Sequence, residues 1–118
     1  MADDKHRIIQ ELVPGRQVTL AHIIASPGRE LVARLNFDAT EAEGVQAIGV
    51  LTVSPGETAI IMADIAMKAA NVDVGYIDYS AGSLIITGSV SSVEASAVAI
   101  LDYVRDVLGY ETVTITRT

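Results

Sequence analysis

Cysteine and tryptophan are absent from this 118-residue sequence, and phenylalanine occurs once. Without cysteine there are no disulfides, thiolate metal sites or cysteine nucleophiles. With no tryptophan and a single phenylalanine, the core is expected to be built from Ile, Val, Leu and Ala. Basic residues are scarce: eight Lys and Arg stand against fifteen Asp and Glu, a net charge of −7. Neutralising phosphates takes clustered cations, so neither nucleic acid nor an anionic membrane surface fits as a partner. No apolar run approaches the length of a membrane span, and the charged Met1–Arg7 followed by a short apolar run does not read as a signal peptide. These features point to the cytosol. Catalytic signatures are missing too: there is no Ser-His-Asp order, G-x-S-x-G elbow, phosphate loop or Rossmann fingerprint. Nothing pairs a nucleophile with a base, so no enzyme and no cofactor are expected. His6 and His22 are isolated and make a poor metal site. Asp38, Glu41 and Glu43 lack the glycine and ligand spacing of a calcium loop and read as part of a solvated linker, Asn36–Gln46.

What the sequence does have is centred on Ala47–Gly88: an apolar strand, a helix, a second strand, a loop of small residues and a third strand. Ser54, Pro55 and Glu57 read as the helix start, with Ser54 capping, Pro55 at the first helical position and Glu57 closing a capping box. Asn71 reads as its stop. Ile60, Ile61, Met62, Ala63, Ile65, Ala66, Met67, Ala69 and Ala70 surround most of this helix, leaving Glu57, Asp64 and Lys68 as a thin polar stripe. An outer helix of a small domain ordinarily shows one apolar stripe and a broad polar face. This one needs cover on more than one side, and in a chain of single-domain length a neighbouring subunit is favoured over a second layer of the same chain. Half of the residues are apolar. An isolated domain of this size is only modestly stable, and assembly would add to that.

Before this centre, Ile8-Ile9-Gln10-Glu11-Leu12-Val13 is a strand-like run without a hairpin partner, stopped by Pro14-Gly15. A lone strand exposes its N–H and C=O groups. It is either an extra edge strand on the domain's own sheet, or one of several symmetry-related copies that pair around a rotation axis. Copies closing in the same sense form a small parallel barrel without a free edge, filled by side chains rather than open as a channel. Val18–Ala25 reads as a strand, with His22 on its face hydrogen-bonded to a neighbour, and Ser26-Pro27 starts a helix over Gly28–Leu35. After the centre, Ser91 and Glu94 read as a second capping box. Its helix runs to about Leu108, ends at Gly109, turns Val93, Ala97, Ile100, Val104 and Leu108 to the core, and turns Asp102, Arg105 and Asp106 to solvent or a neighbour. Thr112–Thr116 reads as a terminal strand. The order predicts an α+β fold, a ferredoxin-like layered sandwich with a mainly antiparallel sheet and helices on one side. Residues 1–17 form an N-terminal extension and 18–118 the domain.

The pattern D-I-A-x-K-A-A-N-V-x-x-G-Y…G-S-L-I-I-T-G-x-V-x-x-V-E-A, Asp64 to Ala95, resembles the shell-protein domain of bacterial microcompartments. The common shell domain begins at the strand corresponding to Ala47 and places the strand with a proline-containing turn last. Here the similar stretch Ala21–Leu31 comes first, so the order is circularly permuted. Ile8–Gly28 resembles the permuted shell proteins of ethanolamine- and propanediol-utilisation compartments. The resemblance implies cyclic hexamers that tile with themselves and other shell proteins into the shell of an organelle in the bacterial cytoplasm. It implies a six-stranded barrel of Ile8–Val13 over the central pore, and a pore ringed by Ser80, Ala81, Gly82 and Ser83. By the same resemblance Lys68 lies at the tiling edge, and Ser26 stands where ordinary members carry an edge arginine.

From the sequence, three functions remain: a structural tile with a capped pore, a small-molecule-binding regulatory domain, or a dock for the targeting peptide of an encapsulated enzyme near Ile8, Ile9, Leu12 or Val13. Fold alone does not separate them. The helix surface and the lone strand favour the tile.

Overall fold

The computed structural model of the chain describes residues 15–35 and 45–118. The Ile8–Val13 run and most of the acidic linker, including Asp38, Glu41 and Glu43, lie outside these residues. Among the described residues, five strands and three helices follow one another as β1 (Gln17–Ala25), α1 (Arg29–Arg34), β2 (Ala47–Ser54), α2 (Thr58–Ala69), β3 (Val72–Asp78), β4 (Ser83–Gly88), α3 (Val90–Asp106) and β5 (Thr116–Arg117). The order of elements is the expected layered α/β arrangement.

One sheet is formed in the order β3-β4-β2-β1-β5. The pairs β3–β4, β4–β2 and β2–β1 are antiparallel, while β5 runs parallel to β1. Strand alternation sends Val18, Ala21 and Ile23 of β1, Leu51 and Val53 of β2, and Leu84 and Ile86 of β4 into one core. Val18 and Ala21 are three apart, which strict alternation forbids. A bulge between Val18 and Leu20 absorbs the extra residue, so both side chains reach the same face. A second bulge between Val74 and Tyr76 does the same for Val74 and Ile77 in β3. The core is closed by Ala59, Met62, Ala63 and Ala66 of α2 and by Val93, Ala97, Ile100, Leu101 and Val104 of α3. Each large aliphatic side chain buried here contributes roughly 1.5–3 kcal/mol. The predicted core face of α3 is thus observed, with Leu108 half-buried beyond its end, and Asp102, Arg105 and Asp106 exposed and paired among themselves.

Four local expectations change. Helix α2 begins at Thr58, and Ser54 is instead the last residue of β2, paired with Gln17. The Ser54–Pro55 bond is cis. Pro55–Glu57 is a tight turn whose carbonyls accept from the amides of Thr58, Ala59 and Ile60 at 3.1, 2.9 and 3.1 Å. Those first amides are satisfied by backbone, so no side-chain cap is needed. At the far end Ala70, in extended conformation, caps the helix one residue before Asn71. Helix α3 is capped by Ser89 rather than Ser91: the Ser89 Oγ accepts from the Ser92 amide at 3.1 Å. Ser89 has the extended backbone of an N-cap, whereas Ser91 already lies inside the helix, and Glu94 is free to meet Arg117. Finally, the terminal strand is only Thr116–Arg117. The segment before it touches β1 at Glu111 and then turns Val113 and Ile115 to the core instead of pairing.

His22 has the hydrogen-bond partners expected of it. Its Nδ1 lies 2.6 Å from the Thr116 hydroxyl and its Nε2 2.9 Å from the Thr118 hydroxyl, so the ring ties β1 to β5. On the opposite face of β5, Arg117 donates to the Glu94 carboxylate of α3.

Candidate functional site

Helix α2 buries Thr58, Ala59, Met62, Ala63 and Ala66 against the sheet. On its outer side Ile60 is 51% exposed, Ile61 43% and Met67 56%. At 100° per residue, Ile60 and Met67 fall on one flank of the stripe made by Glu57, Asp64 and Lys68, and Ile61 falls on the other. The described residues therefore leave apolar surface uncovered on both sides of a charged line, as the sequence predicted. Lys68 lies in the last turn, exposed, with its Nζ 3.0 Å from Asp64 Oδ2 one turn back. Exposed i,i+4 pairs of this kind are worth little stability, about 0.3–0.5 kcal/mol. Ser26 occupies the turn between β1 and α1, also exposed, with a positive φ of 52°. Ile8, Ile9, Gln10, Glu11, Leu12 and Val13 fall outside the described residues.

Ser80, Ala81 and Gly82 form the turn from β3 to β4, and Ser83 opens β4. The loop is organised by a residue that sequence reading passed over. Asp78 Oδ1 accepts from the Ser80 amide at 3.0 Å, the Ser80 hydroxyl at 2.7 Å and the Ala81 amide at 3.1 Å. The Gly82 amide donates to the Asp78 carbonyl at 2.7 Å, and the Gly82 carbonyl accepts from the Val53 amide at 2.8 Å. The Ser80 hydroxyl, then the Ala81 and Ser80 amides, hold the Asp78 carboxyl below its ordinary value. An aspartate followed two residues later by serine, at the end of a strand, was the available signal, because such a side chain caps its own turn. Gly82 has φ +81°, and a Cβ there would stand 2.0 Å from the Val53 carbonyl oxygen. A Cβ on Gly56 would stand 2.4 Å from the Tyr79 carbonyl oxygen. Two glycines thus let the loop lie directly on the turn after β2, while Tyr79, Ser80 and Ala81 stay exposed.

No group of three or more His, Asp or Glu able to hold a metal occurs among the described residues, and none of the described helices is long and apolar enough to cross a membrane. The arrangement offers surfaces for assembly and a rigid loop.

Known proteins resemble this arrangement. Residues 47–118 match the BMC domain. The bacterial microcompartment shell protein CutR of Streptococcus intermedius is 50% identical over 111 residues, which span 94% of this chain and 91% of that protein. The shell protein EutS of Escherichia coli is 53% identical over 91 residues, 77% of this chain and 78% of that one. The shell protein PduU of Salmonella typhimurium is 43% identical over 112 residues, 95% of this chain and 93% of that one. Among solved structures, a flat hexamer of CutR superposes with a TM-score of 0.81 at 46% identity, covering 90% of this chain and 94% of that one. A screw form of CutR with a pitch of 41.9 Å superposes at 0.79 with 46% identity, covering 89% of this chain and 100% of that one. A fused permuted hexameric shell protein of the RMM microcompartment shares the fold, with a TM-score of 0.65 at 23% identity over 78% of this chain and 49% of that one. With the domain match covering more than half of its length and relatives of this identity spanning nearly all of it, the chain belongs to the BMC-domain family of bacterial microcompartment shell proteins.

Proposed function

We propose that the chain is a non-catalytic tile of a bacterial microcompartment shell, assembled as a cyclic homohexamer that packs beside other shell proteins. The observation that carries this reading is the outer surface of α2, where Ile60, Ile61 and Met67 remain uncovered on both flanks of a charged stripe. Left in water, such surface costs free energy that a neighbouring subunit recovers. That the similar CutR has been solved as a flat hexamer supports such a neighbour.

In this reading the domain, residues 18–118, is circularly permuted. The match to the BMC domain begins at β2, while β1, which precedes it in sequence, sits inside the sheet between β2 and β5. A strand contributed from the other end of the common order would occupy that place. The loop Ser80–Ser83 surrounds the ring axis, where small residues permit close approach. Lys68 and Ser26 lie at the edge where hexamers meet. The extension, residues 1–17, supplies one strand per subunit, Ile8–Val13, to a six-stranded parallel barrel that caps the pore.

Light scattering after size exclusion on the full chain, and on a chain lacking Met1–Val13, tests this. Hexamers from both support the tile and make the barrel an accessory. A hexamer only at full length makes the barrel part of the assembly. A monomer or dimer from both overturns the reading and favours a small-molecule-binding regulatory domain.

A further inference from the structure

Helix α2 carries two methionines in opposite settings. Met62 is fully buried in the core, while Met67 is 56% exposed in the last turn. Seven residues are close to two helical turns, so Met67 lines up with Ile60 and extends its apolar flank. Oxidation of a thioether follows its access to solvent. Of these two sulfurs, Met67 alone meets a dissolved oxidant.

We propose that Met67 is a peroxide-modification site, and that its oxidation and its burial by a neighbouring subunit exclude one another. This rests on the reading that the outer surface of α2 is covered in a homohexamer. In the step itself, the sulfur lone pair attacks one oxygen of hydrogen peroxide or an alkyl hydroperoxide. The S–O bond forms as the O–O bond breaks, and the departing oxygen takes the proton and leaves as water or alcohol. The sulfur loses two electrons and becomes a sulfoxide, and the peroxide gains them. The flexible apolar tip is now a polar acceptor. In water that oxygen is hydrated. Pressed against a neighbour beside Ile60 it needs a donor, and the one cation of α2, Lys68, already faces Asp64. An acceptor buried without a partner opposes association. Conversely, a covered thioether is out of the oxidant's reach. A leucine would cover the same surface without this chemistry.

The full chain is treated with hydrogen peroxide over a range of concentrations in which its mass passes from single chain to hexamer. Conversion is read by peptide mass spectrometry and assembly by light scattering. Met67 is expected to convert more slowly as hexamer accumulates, with Met62 unconverted throughout. Converted protein is expected to need about tenfold or more concentration to reach half assembly. Met67→Leu is expected to assemble like the wild type and to keep its mass in peroxide, although it retains Met1 and Met62. Met67→Gln, polar without any oxidant, is expected to assemble as poorly as converted wild type. Sulfoxide-bearing chains that assemble like untreated ones, a Met67→Leu hexamer that also dissociates in peroxide, or a Met67 converted no faster than Met62 overturns the proposal. An untreated wild type without hexamers, or Met67 conversion equally fast in single chains and hexamers, overturns the underlying reading of α2 instead.

Discussion

Gly82 shows how narrowly one position can be constrained. Its positive φ costs a side-chain-bearing residue about 1–2 kcal/mol, and a Cβ would collide with the Val53 carbonyl oxygen. Gly82→Ala is expected to destabilise the chain by roughly 2 kcal/mol or more, read as a lower urea midpoint. Ser89→Ala removes the N-cap of α3 and is expected to cost about 1 kcal/mol, whereas Ser91→Ala is expected to be nearly neutral. At Asp78 the folded state binds a proton less readily than the unfolded one, where the ordinary value is about 3.9. Its contribution is therefore present above that pH and lost as pH falls through the depressed folded value. Acid titration followed by circular dichroism should show a shallower acid limb for Asp78→Asn than for the wild type. Single residues were unevenly legible in the sequence. The tethered His22 could be read because a polar ring inside an apolar strand needs a partner. Which serine caps α3 could not, because Ser89, Ser91 and Ser92 all offer a hydroxyl and only the backbone conformation chooses. Asp78 escaped because a carboxylate beside a turn looks like any solvated charge until the amides are seen to converge on it.

At the scale of elements, α2 is the informative one. Its faces could be read before its ends, since the 3.6-residue period is a property of the whole run while a terminus depends on a few backbone angles. The start was misplaced because Pro55–Glu57 supplies its own backbone acceptors, which no side-chain pattern announces. Asp substitutions at Ile60 and Met67 test the outer surface directly. Both sites are exposed in the lone subunit, so its far-UV circular dichroism should be unchanged and its stability should move by no more than about 0.5 kcal/mol each. The mass in solution should fall from that of the assembly to that of a single chain. An assembly of unchanged mass would count against α2 as the buried surface. The weak terminal strand illustrates the opposite limit: Thr112–Thr116 has the alternation of a strand, yet the core claims Val113 and Ile115 and leaves only two residues to pair.

Across the whole molecule, the layered α+β architecture followed from the order of apolar runs, but the position of β1 within the sheet did not. Nothing local in Val18–Ala25 says that β2 will lie on one side of it and β5 on the other. That placement joins segments far apart in the chain, His22 meeting Thr116 across 94 residues. It also sets an order in time. The β3–β4 hairpin closes over a short turn, and β2 reaches β4 with one helix and one strand between them. The β5 edge must wait until almost the entire chain has been laid down around it, and loop-closure entropy rises with that separation. The same edge is secured by a ladder of only two residue pairs, the Ala25 amide to the Thr118 carbonyl, the Thr118 amide to the Ile23 carbonyl, the Thr116 hydroxyl to the Ala21 carbonyl, the His22 ring and the Arg117–Glu94 pair. Local opening begins where such bonds are few and solvent is near. In hydrogen exchange the Ala25 and Thr118 amides should therefore trade their protons well before those of β2 and β4, making this edge the last to close as the chain folds and the first to open in the finished protein.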